Sequence, residues 1–350
     1  MVLVNSGKDY KTLEEGNIPV YGTGGYITSV SKFLSNQDAI GLGRKGTINK
    51  PYILKAPFWT VDTLFYLTLK PENILTFIYS LIQKINWLKY DESTGLPSLS
   101  KKNIENVLVY LTKLDEQQKI GKLIVKLDKL ITLQQRKLEQ LNLLQKYVKE
   151  KTLPSQKKLP KLRFLNTPYN TYKFSELFKK STKKNDGQIL QNHVISVASM
   201  RWGKLPKSSS EAYMKTYFIF NKGDIAYEGN RSKRYSFGRF VANDLGNGIV
   251  SHVFSVFNSK INFNLEFLKN YINSEQVMRD PLRMSTSRTT MMTNLVLKDI
   301  AKQTLMIPSK NEQDLLGSLY KITQSMIELN EKQQQELIYL KKYLLQKLFI

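Results

Sequence analysis

Residues 40–50, IGLGRKGTINK, place three glycines, one arginine and two lysines where a phosphate could be gripped. A nucleotide cradle of the G-x-x-x-x-G-K-[ST] type needs its lysine directly after the last glycine, so that the amine reaches the phosphates and the next hydroxyl reaches magnesium. Here Lys45 precedes Gly46, and Asn49, Lys50 and Pro51 interrupt any following helix. Gly41, Gly43 and Gly46 do have the spacing of a dinucleotide-binding G-x-G-x-x-G, but the same interruption leaves no helix for that fingerprint to open. Residues 166–169, NTPY, carry Thr167 where amino-methyltransferase loops have a first proline, and no glycine-rich cofactor strand precedes them. The chain has no cysteine, and its two histidines, His193 and His252, stand too far apart for a local metal motif. No self-contained active site, metal site or cofactor site is expected in this chain.

Binding chemistry remains. Arg44, Lys45 and Lys50 sit in the glycine-flexed loop, with Tyr21 and Tyr26 nearby in YGTGGY. Residues 228–239, EGNRSKRYSFGR, offer Asn230, Arg231, Lys233, Arg234 and Arg239; Arg201 stands beside Trp202 in an earlier loop, and Arg288 in a later Ser/Thr-rich one. Arginine can hold guanine O6 and N7 bidentately and asparagine can hold adenine, whereas lysine mostly neutralises phosphate. These twelve residues are the candidate DNA contacts. The charge balance agrees: 53 Lys+Arg against 29 Asp+Glu leave a formal net charge of +24, which attracts a polyanion. No apolar run approaches the roughly 18 residues of a membrane helix, and the N-terminal residues lack the pattern of a signal peptide. A cytoplasmic protein without membrane contact is expected.

The elements that must position these residues are written twice. Residues 113–151 align without a gap on residues 309–347 at an offset of 196, matching Glu116-Gln117 to Glu312-Gln313, Gly121 to Gly317 and Lys146-Tyr147 to Lys342-Tyr343. Both copies lack proline and read as helices of about 36 residues, roughly 54 Å long, with Asp115 and Asn311 as candidate caps. Ile120, Leu123, Leu127, Leu130, Leu141, Leu144 and Val148 take a and d positions in the first, and Ile124, Ile131 and Leu138 widen that stripe; Leu316, Leu319, Met326, Leu337, Leu340 and Leu344 take a and d positions in the second. Gln134 with Lys137, and Asn330 with Gln333, break the two stripes at matching places. In an antiparallel pair Gln134 and Asn330 would meet, and a buried polar layer there would pin register.

The preceding segments correspond more loosely, Asp38 with Asp224 and Gly43 with Gly229. Each then gives β-rich strands and a Ser/Thr-rich loop. The expected fold is mixed α+β: two globular domains separated by two long helices in an antiparallel coiled coil, an internal repeat with pseudo-two-fold character. The boundaries read as a first domain at 1–112, a first helix at 113–153, a Pro-containing linker at 154–162, a second domain at 163–308 and a second helix at 309–350. The first domain is shorter than the second ahead of its first matched strand.

With NIPVYGTGGYI, IGLGRKGTINK and FWTVDTLFYL in the first half, and LVYLTKLDEQQKIGKLI and LMIPSKNEQDLLGSL leading into the helices, the chain resembles the specificity subunits of type I restriction–modification enzymes. Pro308 to Gln313 fits the family's Pro-x-x-x-Glu-Gln phrase; Thr112 replaces the proline in the first copy. The resemblance implies a non-catalytic subunit whose two target-recognition domains each read half of a bipartite double-stranded DNA target. It further implies helices that set the gap and dock two methyltransferase subunits, which use S-adenosylmethionine, and motor-nuclease subunits, which use ATP and magnesium. The residues alone leave open a coiled-coil scaffold with nonspecific nucleic-acid affinity, which would bind any duplex in a salt-dependent way.

Overall fold

A computed structural model describes residues 1–155, 158–203, 211–288 and 292–349. Two linker residues (156 and 157) and the middle of the second Ser/Thr-rich loop (289–291) lie outside the described residues. The chain divides into two compact units, one of residues 1–137 with 330–350 and one of residues 138–329. Each unit therefore holds one globular domain and part of both long helices.

In the first unit a four-stranded antiparallel sheet runs in the order Val2–Ser6, Leu64–Leu69, Ala39–Gly43, Tyr52–Leu54. Ala39–Gly43 is buried along its whole length, as a central strand covered on both faces must be. A second sheet joins Glu15–Gly22, Gly25–Val30 and Trp59–Thr60; its hairpin closes with Gly25 at φ +109°, a conformation glycine adopts without strain. Helix Leu75–Lys84 lays Phe77, Ile78 and Leu81 against the four-stranded sheet's core.

The second unit repeats the plan. Its four-stranded sheet runs Phe178–Lys180, Ser255–Ser259, Ile225–Glu228, Arg239–Ala242, the same order of the same elements, again antiparallel throughout. Helix Leu265–Ile272 follows, capped by the Asn264 side chain, and Phe267, Leu268, Tyr271 and Ile272 enter the core. Strand Asn170–Lys173 precedes this unit's sheet and pairs with Thr304–Ile307.

The long helices span Leu114–Thr152 and Lys310–Leu348, 39 residues each and so about 58 Å long. Asp115 and Asn311 lie inside the first turn and do not cap. Ser309 accepts the Glu312 N–H in the second helix, and Asp115 instead pairs with Lys119 on the surface. The seam also differs from the expected one. Leu123, Leu130, Leu144, Met326 and Leu340 are more than 40% exposed, and Lys137 and Gln333 face solvent. The covered stripe keeps Ile120, Ile124, Leu127, Ile131, Gln134, Leu138, Leu141 and Val148 of the expected one and adds Gln117, Gln145 and Thr152, at unbroken three–four spacing. The second helix repeats that stripe position for position, from Gln313 to Leu348, at the offset of 196.

Gln117 and Gly121 set this phase, and neither carries a hydropathy signal. The Gln117 amide accepts the Ile74 N–H at 3.1 Å and donates to Thr112 O. Gln313 does the same with the Asn264 N–H at 3.2 Å and Pro308 O. Each glutamine thus satisfies a backbone donor at the start of a domain helix. A Cβ on Gly121 would lie 2.8 Å from Phe77 N, and one on Gly317 2.2 Å from Asn264 Oδ1. Glycine is what lets each domain helix begin against its long helix.

The helices run antiparallel within each unit. Asp128 pairs with Lys341 and Gln134 with Asn330 in the first; Gln145 pairs with Gln324 and Thr152 with Tyr320 in the second. The Gln134 amide donates to Asn330 Oδ1 at 2.8 Å and Gln333 Oε1 at 3.0 Å, and Asn330 is 4% exposed. Replacing both Gln134 and Asn330 with leucine should change thermal stability little, since the pair is removed together and the Gln333 amide that loses the Gln134 donor is exposed to water. It should loosen register if the layer specifies it. Disulfide trapping between cysteines introduced along the seam of this cysteine-free chain will read this out. A single trapped pairing, the same in parent and variant, would show that the layer does not set register.

Candidate nucleic-acid interface

In the second unit the buried strand Ile225–Glu228 ends at Gly229, where a Cβ would fall 2.3 Å from Thr293 O. The absent side chain lets Thr293 bond Gly229 O through both its N–H (2.9 Å) and its hydroxyl (3.0 Å), and Asn230 bridges to Met292. The hairpin Thr286–Arg288/Thr293–Leu295 is thereby stitched to the end of the central strand. Arg288, whose guanidinium lies 5.6 Å from the Phe237 ring, joins the Asn230 loop by this route.

The basic residues of this loop divide by their surroundings. Arg239 donates to Glu228 Oε2 at 2.6 Å and to Ala198 O at 2.8 Å, and Glu228 is 5% exposed. Asn230 reaches the other Glu228 oxygen at 3.4 Å. Arg234 and Arg239 both lie about 5 Å from the Tyr235 ring, a cation–π arrangement that orients two positive charges around one aromatic ring. Tyr235 is held by its hydroxyl on Asn273 Oδ1 at 2.7 Å. Arg231 and Lys233 are exposed at the tip. Arg201 and Trp202 form a separate exposed strand paired with Ile195–Ser196, and Trp202 meets His193 edge-on.

A cleft of about 840 Å³ opens beside this loop, lined by Arg234, Arg239 and residues 197–200 on one side and by Asn142, Gln145, Lys146 and Lys149 of the long helix on another. Burial, followed by the charges of Arg234 and Lys269, lowers the Lys149 amine below the usual lysine range. Lys146, Lys149 and Lys269 are absent from the sequence-derived candidates. The spacing of Asn142, Gln145, Lys146 and Lys149 on one helix face was the signal available for the first two.

The first unit builds a related site. A Cβ on Gly43 would fall 2.2 Å from Thr47 O, folding the loop tightly on itself. Lys45 bridges to Ser98, and Gly46 N–H reaches Pro97 O at 2.8 Å. The loop is thus pinned to the first Ser/Thr-rich segment, as Asn230 is to the second. The Arg44 guanidinium lies over Phe65 at 5.7 Å and bonds Asp62 O, while Lys45 and Lys50 are exposed. Tyr21 and Tyr26 form a second group in the three-stranded sheet, edge to face at 6.4 Å; Tyr21 also packs on Tyr52, and Tyr26 is 64% exposed. Among the described residues no cluster of acidic, histidine or cysteine side chains could hold a metal ion, and no helix is long and apolar enough to cross a membrane.

In each unit, then, a central strand of the four-stranded sheet ends in a basic loop pinned to a Ser/Thr-rich segment. The family model described as the type I restriction modification DNA specificity domain matches residues 4–143, and that stretch of the chain is similar to it. The fold is similar over 100% of this chain to a type I restriction–modification system S subunit from M. genitalium, with a TM-score of 0.64, 15% identity and 94% of that chain covered. A second structure, described as the basis of complex assembly and conformational transition of the type I R-M system, is similar over 99% of this chain and 95% of that one, with a TM-score of 0.54 and 11% identity. No curated protein sequence matches the chain significantly.

Proposed function

We propose that this chain is the DNA-recognition subunit of a type I restriction–modification enzyme, each domain reading one half of a bipartite duplex target. The chain has no active site of its own in this reading. Two methyltransferase subunits supply S-adenosylmethionine chemistry, motor-nuclease subunits supply ATP- and magnesium-dependent restriction, and the assembly works in the cytoplasm. One observation carries the proposal: corresponding strand ends in both sheets, after Gly43 and after Gly229, present basic loops fixed to Ser/Thr-rich segments. A scaffold with nonspecific affinity has no need of two such loops pinned alike.

Sequencing the methylome of the host with and without this gene tests the reading. Loss of one bipartite N6-methyladenine motif is expected, and an unchanged methylome overturns it. A narrower prediction concerns the exposed tip. Replacing Arg231 and Lys233 together with alanine should leave thermal stability unchanged but weaken duplex binding by the assembled enzyme about 10- to 100-fold. The slope of log affinity against log salt should fall by roughly 0.9 for each phosphate that is no longer neutralised. Poorer sequence discrimination without a change in slope would instead assign the pair to base reading.

A further inference from the structure

One position of the repeat is filled in two chemically opposite ways. In the second unit it holds Lys149, half-buried in the cleft of about 840 Å³ between the first long helix and the domain. Its counterpart 196 residues on is Leu345, which packs against the core of the first unit. The same exchange recurs across the cleft. The two domain helices start alike, after Ile74 and after Asn264, so Lys269 of the second stands where the first has Tyr79, which also packs on its core. The fold thus accepts leucine and tyrosine at these places, and burial there disfavours an amine. Keeping lysine works against stability, a cost that proteins carry where a side chain serves binding.

The charges around the cleft do not balance among themselves. Glu150 bonds Lys151 at 3.2 Å and Glu275 meets Arg279 at 4.0 Å, while Asp244 holds Lys269 and Glu228 holds Arg239. Lys146, Lys149 and Arg234 line the cleft too, and among the described residues no carboxylate pairs with any of them. The charges that act on the Lys149 amine, those of Arg234 and Lys269, are positive. The first unit neutralises the lysine on its corresponding helix face: Lys341, the counterpart of Gln145, donates to Asp128 at 2.6 Å and to Gln83 at 2.9 Å. Three uncommitted cations in one cleft suit an outside anion that spreads its charge over several oxygens. Arg234 follows the exposed tip residues Arg231 and Lys233 directly in the chain, so a polyanion held at the tip continues toward the cleft.

We propose that Lys146, Lys149 and Arg234 hold a backbone phosphate of the duplex, which makes the long helix of the second unit a DNA contact as well as a spacer. The proposal rests on the reading of the chain as a DNA-recognition subunit and adds to it a grip that reads no bases. Phosphate contacts fix the placement of a protein on the duplex without carrying sequence information. The first unit, with Leu345 and Tyr79 at the matching places, has no such grip. The two halves of the target are then held unequally, the second more firmly than the first.

The test titrates duplex against the assembled enzyme over a range of salt, for the parent, for Lys149→Leu and for Lys342→Gln. The first variant installs the residue that the repeat itself uses; the second removes the same charge at the counterpart of Lys146. Lys149→Leu should keep or raise the unfolding temperature and lower affinity about fivefold at about 0.15 M salt. The slope of log affinity against log salt should fall by roughly 0.9, equally for the bipartite target and for a scrambled duplex. Lys342→Gln should change neither affinity nor slope. Unchanged binding in Lys149→Leu, or an equal loss in Lys342→Gln, overturns the proposal. So does failure of Lys149→Leu to assemble, which would assign the cleft to a protein partner. Tripolyphosphate bound by the parent and not by Lys149→Leu, with duplex affinity unchanged, would assign it to a free anion and overturn the proposal as well. The parent's preference for the bipartite target over the scrambled duplex tests the recognition reading separately in the same titrations.

Discussion

Arg239→Ala should lower the stability of the second unit by about 2–4 kcal/mol, well before any effect on DNA can be read. Its guanidinium is the partner of a Glu228 carboxylate that is 5% exposed, and removing one member of a buried pair strands the other charge. The figure stays below the full range for buried pairs because the Arg239 side chain is itself 22% exposed. The bond to Ala198 O and the packing against Tyr235 disappear as well. Adding Glu228→Gln to the same chain should recover part of the stability, since a neutral amide tolerates the site better than an unpaired carboxylate. Denaturant unfolding with both variants measures this. A stability equal to the parent's, with only duplex affinity reduced, would show that Arg239 serves DNA directly and not the framework that aims Arg234 and Arg231.

The second large effect contrasts two positions of the repeat. Glu312→Ala removes a fully buried acceptor of two partly buried backbone N–H groups. Each stranded donor costs about 1–3 kcal/mol, so a destabilisation of about 2–5 kcal/mol is expected. The corresponding Glu116→Ala removes a solvent-facing carboxylate and should shift stability by no more than about 0.5 kcal/mol. Thermal unfolding of both variants decides it. Equal destabilisation would mean that the first unit already uses Glu116 as the second uses Glu312.

The sequence made the duplication plain because its landmarks are chemical rather than hydrophobic. Glu-Gln, Gly and Lys-Tyr recur at one offset, and the glutamine and glycine prove to be the contacts that seat each domain helix. The phase of the seam was not legible for the same reason. A hydropathy stripe took in Leu123 and Leu130 beside Ile124 and Ile131 and could not choose between them, because buried Gln117 and Gly121 look like surface residues. The interface was legible as loops and not as partners. EGNRSKRYSFGR displays its charges, but only the fold ties Arg239 to Glu228, leaves Arg231 at the tip and brings Arg288 in through Thr293 and Gly229. Lys269 belongs to the cleft through tertiary packing that no local pattern records.

The coincidence of the two seams, residue for residue from Gln117 to Thr152 and from Gln313 to Leu348, has a consequence for how such a gene can change. Either helix presents its partner with the same order of apolar and polar positions. A domain can therefore be exchanged, together with its own helix, for one from a relative that shares the stripe, and the new pair will still close in one alignment. Novel target combinations can arise by cutting and rejoining halves, with no fresh adaptation of the helical interface.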